Sequence, residues 1–369
     1  MTPTLSVYLD LVRILAAIVV VLSHVWPIVL PHELLPWPGH DAVVVFFVLS
    51  GLVIAHTTSR PNRSLADYIQ HRLARIYSVG LPAILLSAAL TPFTMAISVS
   101  GAAPAPAGYA DLWSRSLANF FAVAECWRND IAMPLNAPFW SLNYEIWYYF
   151  IFGIWTYGPT NGRFPLTILV ACAAGPKILL LLPAWLCGVL LYRWQPEIRI
   201  DRARLLFIGS IVAGASYFWF DIGVRIRVLM LSEWPTFMAH IGGSNEFVGD
   251  NILALIVLAN FASVSSLGGG PAKLLLSCQA GIRAGASYTL STYLYHMPLF
   301  VLLWTVLGIH KFWLIAPLLS AGIIMTGFIT ERRAEVWRSF IRRLPIWGWA
   351  DVPSVFHRRR PAPVGTPLP

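Results

Sequence analysis

Charge is scarce in this chain. Asp, Glu, Lys and Arg make up 12% of its 369 residues, and hydrophobic types make up 57%. Soluble domains carry roughly 25% charged residues, so the composition excludes an ordinary water-soluble domain. Cysteine is scarce as well. The four present, Cys126, Cys172, Cys187 and Cys278, show no CxxC or His-linked spacing. That excludes a disulfide framework and a zinc ribbon, and for the three in or beside apolar segments it leaves a small buried apolar side chain as the reading. No metal site is expected. An internal repeat is lacking, which argues against the repeated, broken helices of secondary transporters. The N-terminus lacks the basic flank of a cleavable signal peptide, and no appended soluble domain is visible.

Long hydrophobic runs are what the chain has instead. Runs of membrane-crossing character fall at about 9–30, 41–58, 76–99, 138–157, 164–176, 178–193, 205–222, 250–268, 286–308 and 312–330. The fifth is short. The expected fold is therefore all-α, a polytopic transmembrane bundle of about ten spans over residues 1–335. Residues 336–369 read as a basic, Pro-rich tail, in part without fixed structure. Residues 100–137 read as a long loop, and 223–249 as an apolar stretch broken by Pro235, re-entrant or interfacial. An even span number puts both termini on one side. With that side cytoplasmic, 20 of the 26 Lys and Arg residues lie inside, leaving Arg115, Arg128, Lys177, Arg225, Arg227 and Lys311 outside. The positive-inside rule selects this orientation. Basic inner loops against anionic lipid account for the formal charge of +9 without nucleic acid.

A few ionisable groups interrupt the hydrophobic runs, and such groups are costly in a bilayer and usually functional. Arg13 and His24 stand eleven residues apart in the first run. On a helix they share a face, with His24 roughly 16 Å further along. His24 reads either as an imidazole hydrogen-bonded within the bundle, or as a general base or acyl acceptor. Arg72 and Arg75 share a face after a plausible cap at Ser64. They read as positive-inside charge or as a phosphate clamp that Arg13 could join. Asp41 reads as a helix N-cap, or as a carboxylate that orients an imidazole or holds a sugar hydroxyl. Ser50 and Gly51 read as a close helix approach. In the fourth run Ser141, Glu145 and Tyr148 share a face, and Glu145 is placed near the outer surface. Trp140, Trp147, Tyr148 and Tyr149 read as an interfacial belt or a carbohydrate platform. His296 is a second histidine in mid-span, core or active site, and Glu331 reads as a surface ion pair.

Taken together these segments resemble the acyltransferase type 3 family of integral-membrane acyltransferases. Arg13-x10-His24, DAVVVFFVLSG at 41–51, Arg72-Leu-Ala-Arg75, Trp140-Ser141-Leu142-x-x-Glu145 and SYTLSTYLYHMPL from Ser287 occur in the family's order. Ala42 departs from that family's more common Leu, and ITERRAEVW matches its terminal motif only loosely. The resemblance implies an acyl-CoA donor, acetyl-CoA in the simplest case, at the cytoplasmic face. It implies an acceptor hydroxyl on an extracytoplasmic glycan or lipid-linked sugar, in a bacterial inner membrane. Carried over residue by residue, it gives His24, Glu145 and Asp41 catalytic roles and gives the donor to Arg13, Arg72 and Arg75. Trp140, Ser141, Tyr148 and His296 then fall to the substrate. The rival readings are a transporter or flippase of a glycolipid or anionic substrate, and a binding or scaffold protein.

Overall fold

The computed structural model describes residues 1–30, 38–60, 63–98, 109–194 and 197–344. Among them the chain is helical, without a β-sheet. In order, the helices are α1 (Pro3–Val29), α2 (Gly39–Thr58), α3 (Leu65–Ser98), α4 (Tyr109–Phe120), α5 (Trp140–Tyr157) and α6 (Arg163–Ala174). There follow α7 (Pro176–Leu180), α8 (Leu182–Trp194), α9 (Ile200–Trp219), α10 (Ile222–Glu233), α11 (Pro235–His240) and α12 (Phe247–Val264). The last five are α13 (Gly270–Ser277), α14 (Gln279–Ala286), α15 (Thr289–Val301), α16 (Phe312–Ile329) and α17 (Ala334–Arg342). Local signals explain the starts. Thr2 caps α1 by accepting from the Leu5 amide, with Pro3 in the first turn. Ser64 and Asp67 form a reciprocal cap at α3.

Each expected run is helical, but they do not all have the length of a span. Five helices are long and apolar enough to cross a membrane on their own, and α9 with α10, bent by 50°, makes a sixth if counted as one. With 12 residues in α6 and 13 each in α8 and α15, three of the others are too short alone, and α5, with 18, has the length but is less apolar because of Asn143, Glu145 and its many Trp and Tyr residues. A 12-residue helix covers about 18 Å of a roughly 30 Å hydrocarbon core. Hydropathy counts apolar residues and is blind to breaks. Gly175, at φ 83°, ends α6 where a side chain would meet the Trp127 backbone at 2.8 Å. A wider π-type turn at Leu302–Val306 ends α15. Exposed Leu205, Ile208 and Ile211 on α9, and Ile324, Met325 and Phe328 on α16, form the outer apolar surface expected against lipid.

The middle of the bundle is α2, packed against α1, α8 and α12. Its crossing with α8 is close enough that a Cβ on Gly51 would lie 2.0 Å from the Trp185 carbonyl oxygen. A Cβ on Gly188 would lie 2.0 Å from that of Val48. The packing reading of Gly51 therefore stands. Because both obstacles are backbone, Gly51→Ala must push two helices apart. The expected cost is about 1–3 kcal/mol or more, read as a lower thermal-unfolding midpoint in detergent. An unchanged midpoint would mean that the crossing is looser than described.

Of the stretch read as a long loop, residues 100–108 lie outside the described residues, and 109–137 are folded into the bundle. Beyond α4, Ala122, Glu125, Cys126 and Met133 are buried. Asn136 donates to the Leu294 carbonyl at 2.9 Å. Lys177, itself buried, pairs with Glu125 and donates to the Asn129 carbonyl at 2.8 Å. Burial pushes the Glu125 carboxyl above the ordinary range, and the hydrogen bond and charge of Lys177 pull it back. Removing one partner of such a pair costs about 3–5 kcal/mol because a charge is left unpaired. Lys177→Met should therefore lower the unfolding midpoint sharply, and adding Glu125→Gln should recover most of the loss. Failure of the double variant to recover would show that Lys177 acts through packing instead.

The tail begins as a helix. Residues 334–342 form α17, which lies on α3 with Arg338 3.6 Å from Asp67. Residues 345–369 lie outside the described residues. All four cysteines are free, Cys126 and Cys187 buried, Cys172 and Cys278 exposed.

Candidate active site

A cleft opens between α1, α2, α3, α5 and α15. Its charged lining residues are Arg13, Arg72, Arg75 and Glu145, three cations against one carboxylate. Arg72 and Arg75 sit one turn apart on α3, Arg75 with its side chain exposed to the cleft. The Arg72 guanidinium lies 5.4 Å from the Tyr149 ring centre, and its Nε is buried without a hydrogen-bond partner. Arg13 is held by Asp10 one turn earlier at 3.3 Å, and Arg283 approaches the same carboxylate at 3.9 Å. A buried guanidinium N–H without a partner is expensive. Next to two further arginines, it marks a place for an anion that guanidinium can grip.

Opposite the arginines, α5 presents Glu145. Ser50 Oγ and Tyr149 OH both donate to its Oε1, and Trp185 Nε1 donates to Ser50 Oγ at 3.2 Å. Ser141 also lines the cleft, with its Oγ 2.7 Å from Tyr293 OH. The Tyr293 ring lies 6.5 Å from that of His296, which is fully buried and 5.2 Å, centre to centre, from His24. Thus α1 runs from Arg13 in the cleft to a histidine pair beyond the Tyr293 wall. Beside this pair the start of α2 abuts α1, where a Cβ on Gly39 would strike Ser23 Oγ at 2.0 Å.

A second polar cluster lies at that distal end. His40 Nε2 is 3.1 Å from both carboxylate oxygens of fully buried Asp250, and Glu246 pairs with Arg227 at 2.9 Å. The His40 ring stacks on Trp140 at 5.7 Å and 11°. His40, Glu246 and Asp250 bring ligand-type atoms within 4.8 Å of one another, a grouping the sequence spacing did not suggest. Each of the three already has a counter-charge or hydrogen-bond partner, so the cluster is satisfied internally.

Several sequence expectations are relocated by this geometry. Arg13, Arg72 and Arg75 meet as expected. Glu145 is not separated from them at the far surface but faces them across one cleft, because α5 starts at the distal end and Glu145 lies more than a turn inside it. Asp41 stays at the distal end, within electrostatic range of His40, Asp250 and Glu246. His24 takes its contacts from Val20, Ser23 and His296, and Asp41 is not among them. Tyr148 shares a helical face with Ser141 but is fully buried, donating to the Ile178 carbonyl at 2.9 Å away from the cleft. The α5 tyrosine that lines the cleft is its neighbour, Tyr149. Trp140 belongs to the distal cluster, and His296 touches His24 instead of lining the cleft.

Two contributors were missed. Ser50, read as packing, holds Glu145. Glu331, read as a surface ion pair, accepts from the Leu290 and Ser291 amides at 3.3 and 2.8 Å and caps α15. Its place after an apolar run, beside two arginines, carried no signal of that cap.

Comparison with known proteins decides the class. A family model described as an acyltransferase domain matches residues 6–331. The chain belongs to the acyltransferase type 3 family. The acyltransferase MdmB of Streptomyces mycarofaciens is 32% identical over 139 residues, which is 37% of this chain and 33% of that relative. The match thus spans about a third of the relative's length. No solved structure matches. This family member is an integral membrane protein, and its arginine cleft and histidine pair lie on the segments that carry the family resemblance.

Proposed function

We propose that this enzyme moves an acyl group, acetyl in the simplest case, from acyl-CoA to a hydroxyl of an extracytoplasmic glycan or lipid-linked sugar. The observation that carries the reading is the cleft with three arginines, one of them with a buried unpartnered N–H, beneath the pair of partly buried His24 and fully buried His296. The arginines are suited to the phosphates of the donor. His24 is eleven residues from Arg13 on α1, roughly 16 Å along the axis, about the reach of an extended pantetheine arm. His24 Nε2 takes the acceptor's hydroxyl proton as that oxygen attacks the thioester carbon. The C–S bond then breaks, and the thiolate leaving group takes the proton back. In this reading the arginine end is cytoplasmic and the His40–Asp250 end extracytoplasmic. Both termini lie in the cytoplasm, and the short helices complete a ten-span fold in a bacterial inner membrane.

The test supplies acetyl-CoA labelled in the acetyl group to inside-out membrane vesicles. Label recovered on glycan in an alkali-sensitive ester supports the reading. Label that crosses the membrane unbonded would point to a transporter, and bound label that is never transferred would point to a binding protein.

The placement of Glu145 gives a further expectation. Removing its charge from a cleft that holds three cations should raise affinity for an anionic donor by about 1 kcal/mol, the scale of an opposed charge pair across a hydrated space. Glu145→Gln should therefore bind acetyl-CoA more tightly, by isothermal titration, while transferring more slowly because Ser50 and Tyr149 lose a charged acceptor. Weaker binding in this variant would contradict the assignment of the cleft to the donor.

A further inference from the structure

His24 and His296 come from α1 and α15, helices packed against each other. Nδ1 of His24 lies 2.8 Å from the Val20 carbonyl oxygen, one turn earlier on α1. A carbonyl only accepts, so that nitrogen carries the hydrogen. Nδ1 of His296 lies 3.0 Å from the Thr292 carbonyl, one turn earlier on α15, and the same argument puts a hydrogen there. Neutral His296 then has a bare Nε2, and this atom lies 3.4 Å from His24 Nδ1. Ser23 Oγ donates to the Val20 carbonyl at 2.7 Å and stands 3.3 Å from His24 Nδ1. Three acceptors therefore surround one N–H, and Nε2 of His24 is left bare.

We propose that His296 is the positioning residue of the His24 base, holding its Nδ1–H with a bare Nε2 so that the opposite nitrogen of His24 is the proton acceptor. When His24 Nε2 takes the acceptor's proton, the positive charge is shared with Nδ1–H, and the His296 lone pair faces it. No proton passes to His296, whose own Nδ1–H stays on the Thr292 carbonyl. A neutral imidazole here does the work that a carboxylate does in a Ser-His-Asp triad. Full burial makes a neutral partner the cheaper choice, since a lone carboxylate there would be charged and desolvated. The role differs from the substrate contact expected of His296 from sequence, and it depends on the acyl-transfer reading above.

Two measurements test it. The first is 15N NMR of the wild-type enzyme, labelled at histidine and held in lipid nanodiscs, with His24→Gln and His296→Gln used to assign the signals. Both rings should appear as the Nδ1–H tautomer with Nε2 bare. An Nε2–H on His296 would oppose two N–H groups and would overturn the proposal, whatever the enzyme's activity. The second compares His296→Phe, which keeps a ring and loses the acceptor, with His296→Gln, which keeps an acceptor oxygen and loses the ring. Phe should lower kcat by about 10- to 100-fold, the rate equivalent of one hydrogen bond to a charged group. The KM for acetyl-CoA should hold, and Gln should recover part of kcat. Phe equal to or better than Gln would show that His296 serves packing only. Wild-type enzyme that transfers no acyl group would instead defeat the acyl-transfer reading, while the NMR result still decides the tautomers.

Discussion

His24→Ala is expected to reduce acyl transfer by roughly 10²–10⁴-fold, the range for losing a positioned general base, while acetyl-CoA still binds. The separation follows from geometry. The arginines line the cleft and His24 does not, lying beyond the Tyr293 wall on the same helix as Arg13. Donor affinity should therefore change little, because no phosphate contact is removed. Folding should survive as well. His24 is only partly buried, and its hydrogen bond to Val20 is internal to one helix. The measurements are initial rates in vesicles, acetyl-CoA titration and the thermal midpoint on the same preparation. A folded variant with near wild-type turnover would remove His24 from the chemistry and leave the histidine pair structural.

The double replacement Arg72→Ala with Arg75→Ala is expected to have the opposite pattern. Each guanidinium is worth about 1.5–3 kcal/mol as a charge-assisted hydrogen-bond donor. Loss of both should weaken acetyl-CoA binding by at least roughly 100-fold. S-acetylpantetheine, which lacks the nucleotide and its phosphates, should bind the variant and the wild type alike. This control separates loss of an anion grip from a general collapse of the cleft. Lysine should rescue partly, since it restores charge without the planar fork. Arg72 is the more sensitive of the two to this exchange, because its guanidinium also lies over Tyr149. Unchanged acetyl-CoA affinity in the double variant would assign these arginines to the membrane surface instead.

Periodicity made part of this site legible. Arg13 and His24 share a face, as do Arg72 and Arg75, because those relations depend only on 3.6 residues per turn. The Ser64–Asp67 cap was equally local. Choosing between Tyr148 and Tyr149 was not possible in this way. Both are tyrosines near Glu145, and which one enters the cleft depends on how α5 is rotated against α3 and α8. Rotation is set by packing, here by Trp185 against Tyr148 and by Tyr68 donating to the Tyr149 carbonyl. Glu145 was placed at the wrong depth for a related reason. Hydropathy gives a residue's distance from the end of its own run, not its height relative to residues on other helices.

Sequence alone was enough for an all-helical membrane chain, the run of each major helix, the face on which each charged residue sits and, through ordered motifs, the family. All of these follow from composition and from spacing within one segment. Only the tertiary structure decided that Glu145 faces the arginines, that Ser50 and Glu331 serve as hydrogen-bond partners, and that His40 meets Asp250. It alone showed that His296 meets His24 across 272 positions of chain. Such pairings depend on the relative height and rotation of helices. Those are fixed by close crossings such as Gly51 on Trp185 and by burying polar atoms only where partners exist, and no local pattern records either.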